Sequence, residues 1–305
     1  MKGFKGFEKG LVCRGKQYKE NTVFEEEKAV ICQSGMHFCE NPFDVLEYYD
    51  FVNGNGSFNE FAEVEALDEV KTDDNKKYCT TKLKIGAKLS FAGFVKACVD
   101  FVIENTKITT EGFTDNDKGL RNAQIGSSGD YAKIGSSGDY AQIGSSGEYA
   151  KIGSSGDYAK IGSSGYYAQI GSSGYYAKIG SSGDYAKIGS SGDYAKIGSS
   201  GYYAKIGSSG YYAQIGSSGY YAQIGSSGDY AKIDSTGEDS VICCAGHDSK
   251  VKAKKGSWIT LAEWMYSEEK ERYVPKCVKT EFVDGEKIKE DTFYKLVDGE
   301  FKEVN

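Results

Sequence analysis

The chain has 305 residues and a net charge of −7, which leaves room for two or three folding units. The charge is −4 over residues 1–121, +1 over residues 122–233 and −4 over residues 234–305, and only three arginines occur, so the composition argues against nucleic-acid binding. No apolar run approaches the roughly 18 residues of a membrane span, and the N-terminus lacks an apolar signal core. We therefore expect no membrane association, and we expect the eight scattered cysteines to be reduced thiols in a cytosol.

Residues 1–118 are predicted to form a mixed α/β head domain with two helices. An Asn-Pro pair at positions 41 and 42 predicts the N-cap and the first position of a helix that runs through residues 43–49 from Pro42. Ser90 predicts the cap of a second helix that runs to about Asn105. Three apolar side chains have the spacing of one face of that helix: Phe94, Cys98 and Phe101.

Two further segments of the head, residues 58–64 and 78–85, are predicted to be strands. The polar segment over residues 106–121 is predicted to lead into the next region.

Residues 119–252 carry a nine-residue repeat that predicts a central β-solenoid. The unit reads Ile-Gly-Ser-Ser-Gly-(Asp/Glu/Tyr)-Tyr-Ala-(Lys/Gln), and its isoleucine recurs from Ile125 to Ile233. Alternation along Tyr-Ala-Lys-Ile predicts a strand with Ala and Ile inward, and Ser-Ser-Gly-Asp predicts a turn in which glycine takes a positive φ. One unit cannot bury its apolar face alone, so the units must stack.

The number of units in each coil decides which residues stack. Two units, or 18 residues, would close a flat coil with two sheets, whereas three units would close a triangular coil; we favour two. Beyond Ile233 the units degenerate, with Ile242 and Val251 keeping the isoleucine register. Degenerate end units predict a cap, as the ends of a solenoid require.

Residues 253–305 are predicted to form a small β domain. Residues 258–262 predict a strand, and Asp-Gly pairs at positions 284–285 and 298–299 predict hairpin turns. The predicted fold class is therefore mainly β, with a central solenoid of about two nonapeptides per coil between an α/β head and a C-terminal β domain.

Motifs in the two flanks resemble an uncharacterised family found in phages and prophages. They are Lys-Gly-Phe at residues 5–7, Cys-Arg-Gly at 13–15, Gly-Met-His-Phe-Cys-Glu-Asn-Pro at 35–42 and Val-Asp-Gly-Glu-Lys-Ile-Lys-Glu-Asp-Thr-Phe-Tyr at 283–294. Members of that family tend to carry a central short-period repeat. The resemblance implies the cytoplasm of a bacterial host, but it carries over no catalytic residues, and any function located in the repeat transfers poorly.

Candidate chemistry in the head centres on His37. Cys32, His37 and Cys39 contain metal-ligating atoms, but their spacing matches no standard zinc pattern, so we expect no metal and no cofactor. His37 and Cys39 could instead form a base and nucleophile pair on one face of a strand. Arg14, His37 and Glu65 loosely suggest a nucleotide-transferase layout.

Two features of the repeat resemble known ligand-binding motifs, one for phosphate and one for calcium, but each lacks residues that its motif requires. Gly-Ser-Ser-Gly lacks the Gly-Lys-Ser/Thr and the helix of a phosphate-binding loop. The acidic position, at Asp130, Asp139, Glu148 and Asp157, is interrupted by tyrosines in later units. A calcium-binding ladder of nonapeptides is therefore not expected.

Tyrosines are the best candidate binding surface, because 17 of the 24 lie in the array. At 18 residues per coil they would form two ladders with about 4.8 Å between neighbours, flanked by Lys or Gln at 133, 142, 151 and onward. The candidate binding residues are Tyr131, Tyr149, Tyr167, Tyr185, Tyr203 and Tyr221 in one ladder, and Tyr140, Tyr158, Tyr176, Tyr194, Tyr212 and Tyr230 in the other. The alternative is that these rings only stabilise the sheets by stacking.

Interchangeable units suit a spacer, a scaffold or an avidity surface better than a catalytic site. We therefore predict a non-enzymatic binding or scaffold protein whose partner is another protein or a second copy. One alternative is a phage counter-defence protein that sequesters or blocks a host factor through its acidic flanks. Another is a nucleotide-transferase-like enzyme in the head.

Overall fold

The structure is a computed structural model that describes residues 1–105 and 121–304. Over these residues the chain is mainly β, with a solenoid between an N-terminal sheet domain and a small C-terminal β region, which confirms the predicted fold class. The predicted leading segment, residues 106–121, lies outside the described residues except for Arg121. No helix among the described residues is long and apolar enough to cross a membrane.

The head contains an antiparallel sheet of seven strands in the order β4-β9-β6-β1-β5-β8-β7, beside a short β2–β3 pair. In chain order the strands are β1 (Lys2–Phe7), β2 (Val12–Cys13), β3 (Lys16–Gln17), β4 (Thr22–Glu25), β5 (Met36–Cys39), β6 (Glu60–Ala66), β7 (Val70–Thr72), β8 (Lys77–Thr80) and β9 (Lys82–Leu89). The strand predicted over residues 58–64 corresponds to β6. The one predicted over 78–85 is wrong as a single strand, because its two halves pair with different neighbours, β8 with β5 and β9 with β6.

Helix α1 (Pro42–Val45) has the predicted cap, since the Asn41 side chain accepts a hydrogen bond from the Phe43 N–H at 2.9 Å. The helix ends at Val45, four residues earlier than predicted. Helix α2 (Phe91–Asn105) also has its predicted cap, because the Ser90 hydroxyl accepts from the Gly93 N–H. Its buried face is rotated from the predicted one, so that Phe101 is only half-buried. That face consists of Phe94, Val95, Cys98, Val99 and Val102.

The array folds into eight coils over the described residues, with two units per coil, so the three-unit alternative is wrong. One sheet contains β10 (Gln124–Ser127), β12 (Gln142–Ser145), β14 (Lys160–Ser163), β16 (Lys178–Ser181), β18 (Lys196–Ser199), β20 (Gln214–Ser217), β22 (Lys232–Ser235) and β24 (Lys250–Lys252). The other contains β11 (Lys133–Ser136), β13 (Lys151–Ser154), β15 (Gln169–Ser172), β17 (Lys187–Ser190), β19 (Lys205–Ser208), β21 (Gln223–Ser226), β23 (Val241–Cys244) and β25 (Trp258–Ser267). Parallel pairing sets each residue beside the one 18 positions later, as Ile143 beside Ile161.

The strand of each unit is (Lys/Gln)-Ile-Gly-Ser, so the predicted Tyr-Ala-Lys-Ile strand is wrong at its tyrosine end. Alanine, isoleucine and the first serine of each Ser-Ser pair lie in the core. The turn also differs from the prediction, because its residue of positive φ is tyrosine and not glycine. All twelve ladder tyrosines have φ between 55° and 58°. This conformation directs the tyrosine N–H to the next coil, as from Tyr149 to the carbonyl of Tyr166 at 2.8 Å.

The C-terminal region extends both sheets of the solenoid. β25 pairs parallel to β23 and antiparallel to β26 (Arg272–Phe282), while β27 (Phe293–Val297) pairs antiparallel to β24 and to β28 (Glu300–Val304). The turn at Asp298-Gly299 joins β27 to β28 as predicted. The hairpin predicted at Asp284-Gly285 is wrong, because the Asp284 side chain accepts from the N–H groups of Glu286 and Ile288 in an irregular turn.

Candidate functional site

The head lies against the outer surface of the sheet that runs from β10 to β24, which we call the covered face. Helix α2 crosses β10, β12, β14 and β16 at this face. The glycines of this sheet's strands from β10 to β20 leave room for the head to approach the sheet closely. A Cβ added to Gly162 would lie 3.3 Å from Phe43, and one added to Gly180 would lie 2.7 Å from Phe51. The six glycines in contact are Gly126, Gly144, Gly162, Gly180, Gly198 and Gly216.

A row of lysines on the covered face is paired with carboxylates of the head. Lys160 is only 3% exposed, and its Nζ lies 3.1 Å from Glu47. Asp50 pairs with Lys178 at 2.6 Å and also with Lys196. Burial lowers the pKa of Lys178, while the neighbouring Asp50 raises it. In this half of the array, the head therefore covers the Lys and Gln positions that were predicted to flank the tyrosines.

Gln142 completes the polar contact between the two parts. Its amide nitrogen donates to Asp44 at 3.0 Å, and its amide oxygen accepts from the Asn41 side chain at 2.8 Å. Burial raises the pKa of Asp44, and Lys160, 3.8 Å away, lowers it. The covered face therefore holds the head by apolar packing over glycines and by charge pairing along the lysine row.

The outer surface of the other sheet, which runs from β11 to β23 and which we call the open face, carries the same residue types, and nothing in residues 1–105 or 121–304 covers it. Its row of long polar side chains is exposed: Lys133, Lys151, Gln169, Lys187, Lys205 and Gln223. A Cβ added to any of its six glycines would meet no atom within 4 Å: Gly135, Gly153, Gly171, Gly189, Gly207 and Gly225. The result is a shallow groove floored by glycine and bordered by ammonium groups.

The two tyrosine ladders exist as predicted, with centroids of neighbouring rings 4.7 to 5.1 Å apart and ring planes within 13°. They run along the turns, so they form the edges between the two faces and do not lie on the faces. The ladder from Tyr140 to Tyr230 has a cation over its first ring, Arg121 at 5.1 Å, and His247 against its last. Their role in binding remains a prediction.

The acidic positions of the repeat have a structural role. The Asp139 carboxylate accepts a hydrogen bond from the Asp157 N–H at 3.0 Å, and Asp157 accepts from the Tyr175 N–H at 2.8 Å. Each aspartate in these pairs therefore links one coil to the next through a main-chain amide. This use explains acidic residues in the turn without a bound cation.

The head contains a separate cavity of about 230 Å³, lined by all three predicted catalytic candidates, Arg14, His37 and Cys39. Glu65 does not line it, so the nucleotide-transferase layout is not assembled. Burial raises the pKa of the Cys39 thiol to about 12, which disfavours the thiolate that a nucleophile needs. Burial is also the largest cause that lowers the pKa of His37, whose Nε2 accepts from the Cys32 N–H at 3.0 Å.

The candidate zinc ligands Cys32, His37 and Cys39 do not form a metal site. No group of three or more His, Cys, Asp or Glu side chains among the described residues is arranged to hold a metal ion. Sequence reasoning did not find the cationic lining of the cavity, which includes Lys5 and Lys77.

Comparison with known proteins informs only the head. Residues 1–97 match a family model described as a domain of unknown function, DUF7666. This match agrees with the expected uncharacterised N-terminal domain. No curated protein and no solved structure matches the chain significantly.

Proposed function

We propose that this protein is a non-enzymatic binding scaffold of phage or prophage origin, acting in the cytoplasm of a bacterial host, and that its open face holds a partner protein. One observation supports the proposal above all. The same nonapeptide surface already holds a folded domain on the covered face, through glycines and paired lysines. The open face has both features and no cover among the described residues.

The covered face defines the chemistry that a partner needs. The head offers aromatic and aliphatic side chains above the glycines, such as Phe43 and Phe51, and carboxylates opposite the lysines, such as Glu47 and Asp50. A partner for the open face would present an apolar ridge beside a row of carboxylates. Such a surface would be complementary in both shape and charge.

Other occupants fit the open face less well. Two open faces in a symmetric pair would bring lysines against lysines, and like charges in contact oppose association. Nucleic acid is disfavoured because the chain has only three arginines and the described solenoid coils present none on this face. A host factor blocked by a phage protein would be one example of an acidic partner.

Charge reversal on the open face tests the proposal. Full-length protein with Lys151→Glu, Lys187→Glu and Lys205→Glu is compared with wild type in affinity capture from host lysate, and the binding constant of any selectively lost protein is then measured by calorimetry. We expect an acidic protein whose Kd rises about a hundredfold or more, because three charge pairs become repulsive. The control carries Lys19→Glu, Lys28→Glu and Lys84→Glu, three exposed lysines of the head with the same change in charge, and should change the Kd less than about threefold.

Three outcomes would contradict the proposal. The captured proteins could be the same for both triple variants. Sedimentation could show a wild-type dimer that the open-face variant dissociates, which would make a second copy the occupant. The recovered ligand could instead be nucleic acid.

A further inference from the structure

The head cavity concentrates positive charge. Four cationic side chains line it, Lys5, Arg14, Lys16 and Lys77, against one carboxylate, Glu26. Such an excess in a concave site favours an anionic ligand, because cavity walls of low dielectric strengthen the field of the cations.

The one carboxylate is already used by other groups. Glu26 accepts from Lys16 through Oε1 at 2.7 Å and from the Gly35 N–H through Oε2 at 2.9 Å. These contacts hold the pKa of Glu26 below its usual value against the opposing effect of burial. Glu26 therefore balances the charge of Lys16 and leaves the other three cations of the cavity without an acidic partner in its lining.

Lys5 is the most unusual of these cations, because it is 6% exposed. Its Nζ donates to the carbonyl oxygen of His37 at 2.8 Å, and within residues 1–105 and 121–304 it forms no ion pair with a carboxylate. Burial is the largest cause that lowers the pKa of Lys5. A buried ammonium without a counter-charge is costly to the fold, so a lysine at such a position points to a functional anion.

Arg14 lies at a more exposed part of the cavity, in a turn where its own φ is 50°. Its guanidinium has no hydrogen bond or ion pair with any described residue. A planar guanidinium can donate two parallel hydrogen bonds to a phosphate, whereas a lysine acts as a point charge. Arg14 and Lys5 both line the cavity, so the lining offers both kinds of phosphate contact.

The remaining lining contains flat aromatic side chains. Tyr18, Tyr48 and Tyr49 contribute rings, and Lys77 Nζ lies 4.7 Å from the centroid of Tyr48. A volume of about 230 Å³ lies below the usual range for cofactor sites, roughly 300–1,000 Å³. The ligand must therefore be small, with a flat or apolar part beside its charge.

We infer that the head cavity binds a small phosphate monoester, with its phosphate against Lys5 and Arg14 and its organic part against the tyrosine rings. This site is separate from the open face and does not depend on the proposed scaffold function.

Four probes on the full-length protein test the inference by calorimetry at low ionic strength and pH 7.5. They are phenyl phosphate, inorganic phosphate, benzoate and phenol. Comparing their affinities separates the contribution of the phosphate group from that of the aromatic ring. We expect phenyl phosphate to bind most tightly, inorganic phosphate next, benzoate more weakly and phenol not measurably. Equal or tighter binding of benzoate or phenol, or no binding of either phosphate, would overturn the inference.

Two variants locate the site. Arg14→Gln should weaken phenyl phosphate binding about tenfold or more, because a charge-assisted contact is lost. Arg272→Gln, an exposed arginine of β26, is the matched control and should leave binding unchanged. Lys5→Met should abolish binding and leave the melting temperature of the ligand-free protein equal or higher, since a buried unpaired charge is removed. Unchanged binding in Arg14→Gln, or a large drop in the melting temperature of Lys5→Met with binding retained, would refute the assignment.

Discussion

The covered face and the open face are built from the same nine residues, yet their side chains lie in different environments. Lys160 is buried beside Glu47, whereas Lys151, its counterpart one unit earlier, is exposed. Gly180 has Phe51 close above it, whereas Gly189 has open space. The difference teaches that the role of a residue in a repeat depends on what packs over it and not on the repeat itself.

The open-face glycines need an explanation that the covered-face glycines do not. On the covered face a Cβ would collide with the head. On the open face nothing within the described chain requires glycine, and glycine weakens a strand. A row of glycines there suits a surface that another molecule approaches closely.

The largest expected difference between the faces comes from filling these glycine positions. Gly180→Val should reduce the free energy of unfolding by about 3 kcal/mol, because the new side chain overlaps Phe51 in a packed interface. Gly189→Val should change it little or raise it by up to about 1 kcal/mol, since valine favours strands. Chemical denaturation of the two proteins measures both values. Equal losses would mean that the head does not rest on the covered face.

Charge reversal should give the next largest difference. Lys178→Glu sets a carboxylate beside Asp50 in a mostly buried pair and should cost about 2 kcal/mol. Lys187→Glu, on the open face, should cost less than about 0.5 kcal/mol. Thermal unfolding at two salt concentrations provides the check, because the first loss should persist when salt is added, since buried charges are screened little. A similar loss of stability in both variants would contradict the finding that Lys178 is mostly buried and Lys187 is exposed.

A substitution in a tyrosine ladder should have a moderate effect, because the ladders belong to neither face. Tyr185→Asn keeps a residue that tolerates positive φ but loses ring contacts on both sides, so we expect a loss of about 1 kcal/mol. Among the described residues, Tyr131, which is 68% exposed, stacks on a single ring, that of Tyr149. Tyr131→Asn should therefore lose about half as much, and a larger loss at Tyr131 would show that stacking does not set the cost.

The smallest effect is expected in the core that both sheets share. Ser181 and Ser190 are buried, and their hydroxyls have no hydrogen-bond partner among the described residues. Ser181→Ala and Ser190→Ala should each leave stability unchanged or raise it by up to about 1 kcal/mol, because an unpaired buried hydroxyl is removed. A loss at only one position, measured by denaturation, would show that the faces also differ inside the coil.

The coil could be predicted from the sequence because a strict nine-residue period limits how units can stack. The prediction of two units per coil determined which tyrosines stack in each ladder, and the structure agrees with both ladders. The turn could not be predicted in the same way, because glycine is the usual residue of positive φ, whereas here tyrosine holds that position. At the array ends the equivalent residues are Asn122, Asp239 and Asp248, which tolerate this conformation better. Inside the array, tyrosine at this position adds the ring stacking that Asn or Asp would lack.

Contact between the head and the array could not be predicted, because near-identical units give no indication of which ones are covered. The cavity was partly foreseen, since Arg14, His37 and Cys39 were singled out and do share it. Lys5 was missed because a lysine in the segment Lys-Gly-Phe-Lys-Gly-Phe normally marks the solvent side of a strand. Only the folded sheet shows that its ammonium lies inside.

The length of the contact between head and array has a consequence for how this gene can vary. Head residues meet the covered face from Gly126, beside Ile103, to Asp234, which accepts a hydrogen bond from Ser57. Near-identical repeats in DNA readily gain or lose copies, and each copy pair adds or removes about 4.8 Å of solenoid. A coil lost from the middle would bring Asp234 to the place that Gly216 occupies beside Val52, while the near-identical units before it would present the same residue types to the head. The contact with the head therefore makes the stability of the protein depend on the number of coils, because a chain with one coil fewer would lose the Ser57–Asp234 hydrogen bond.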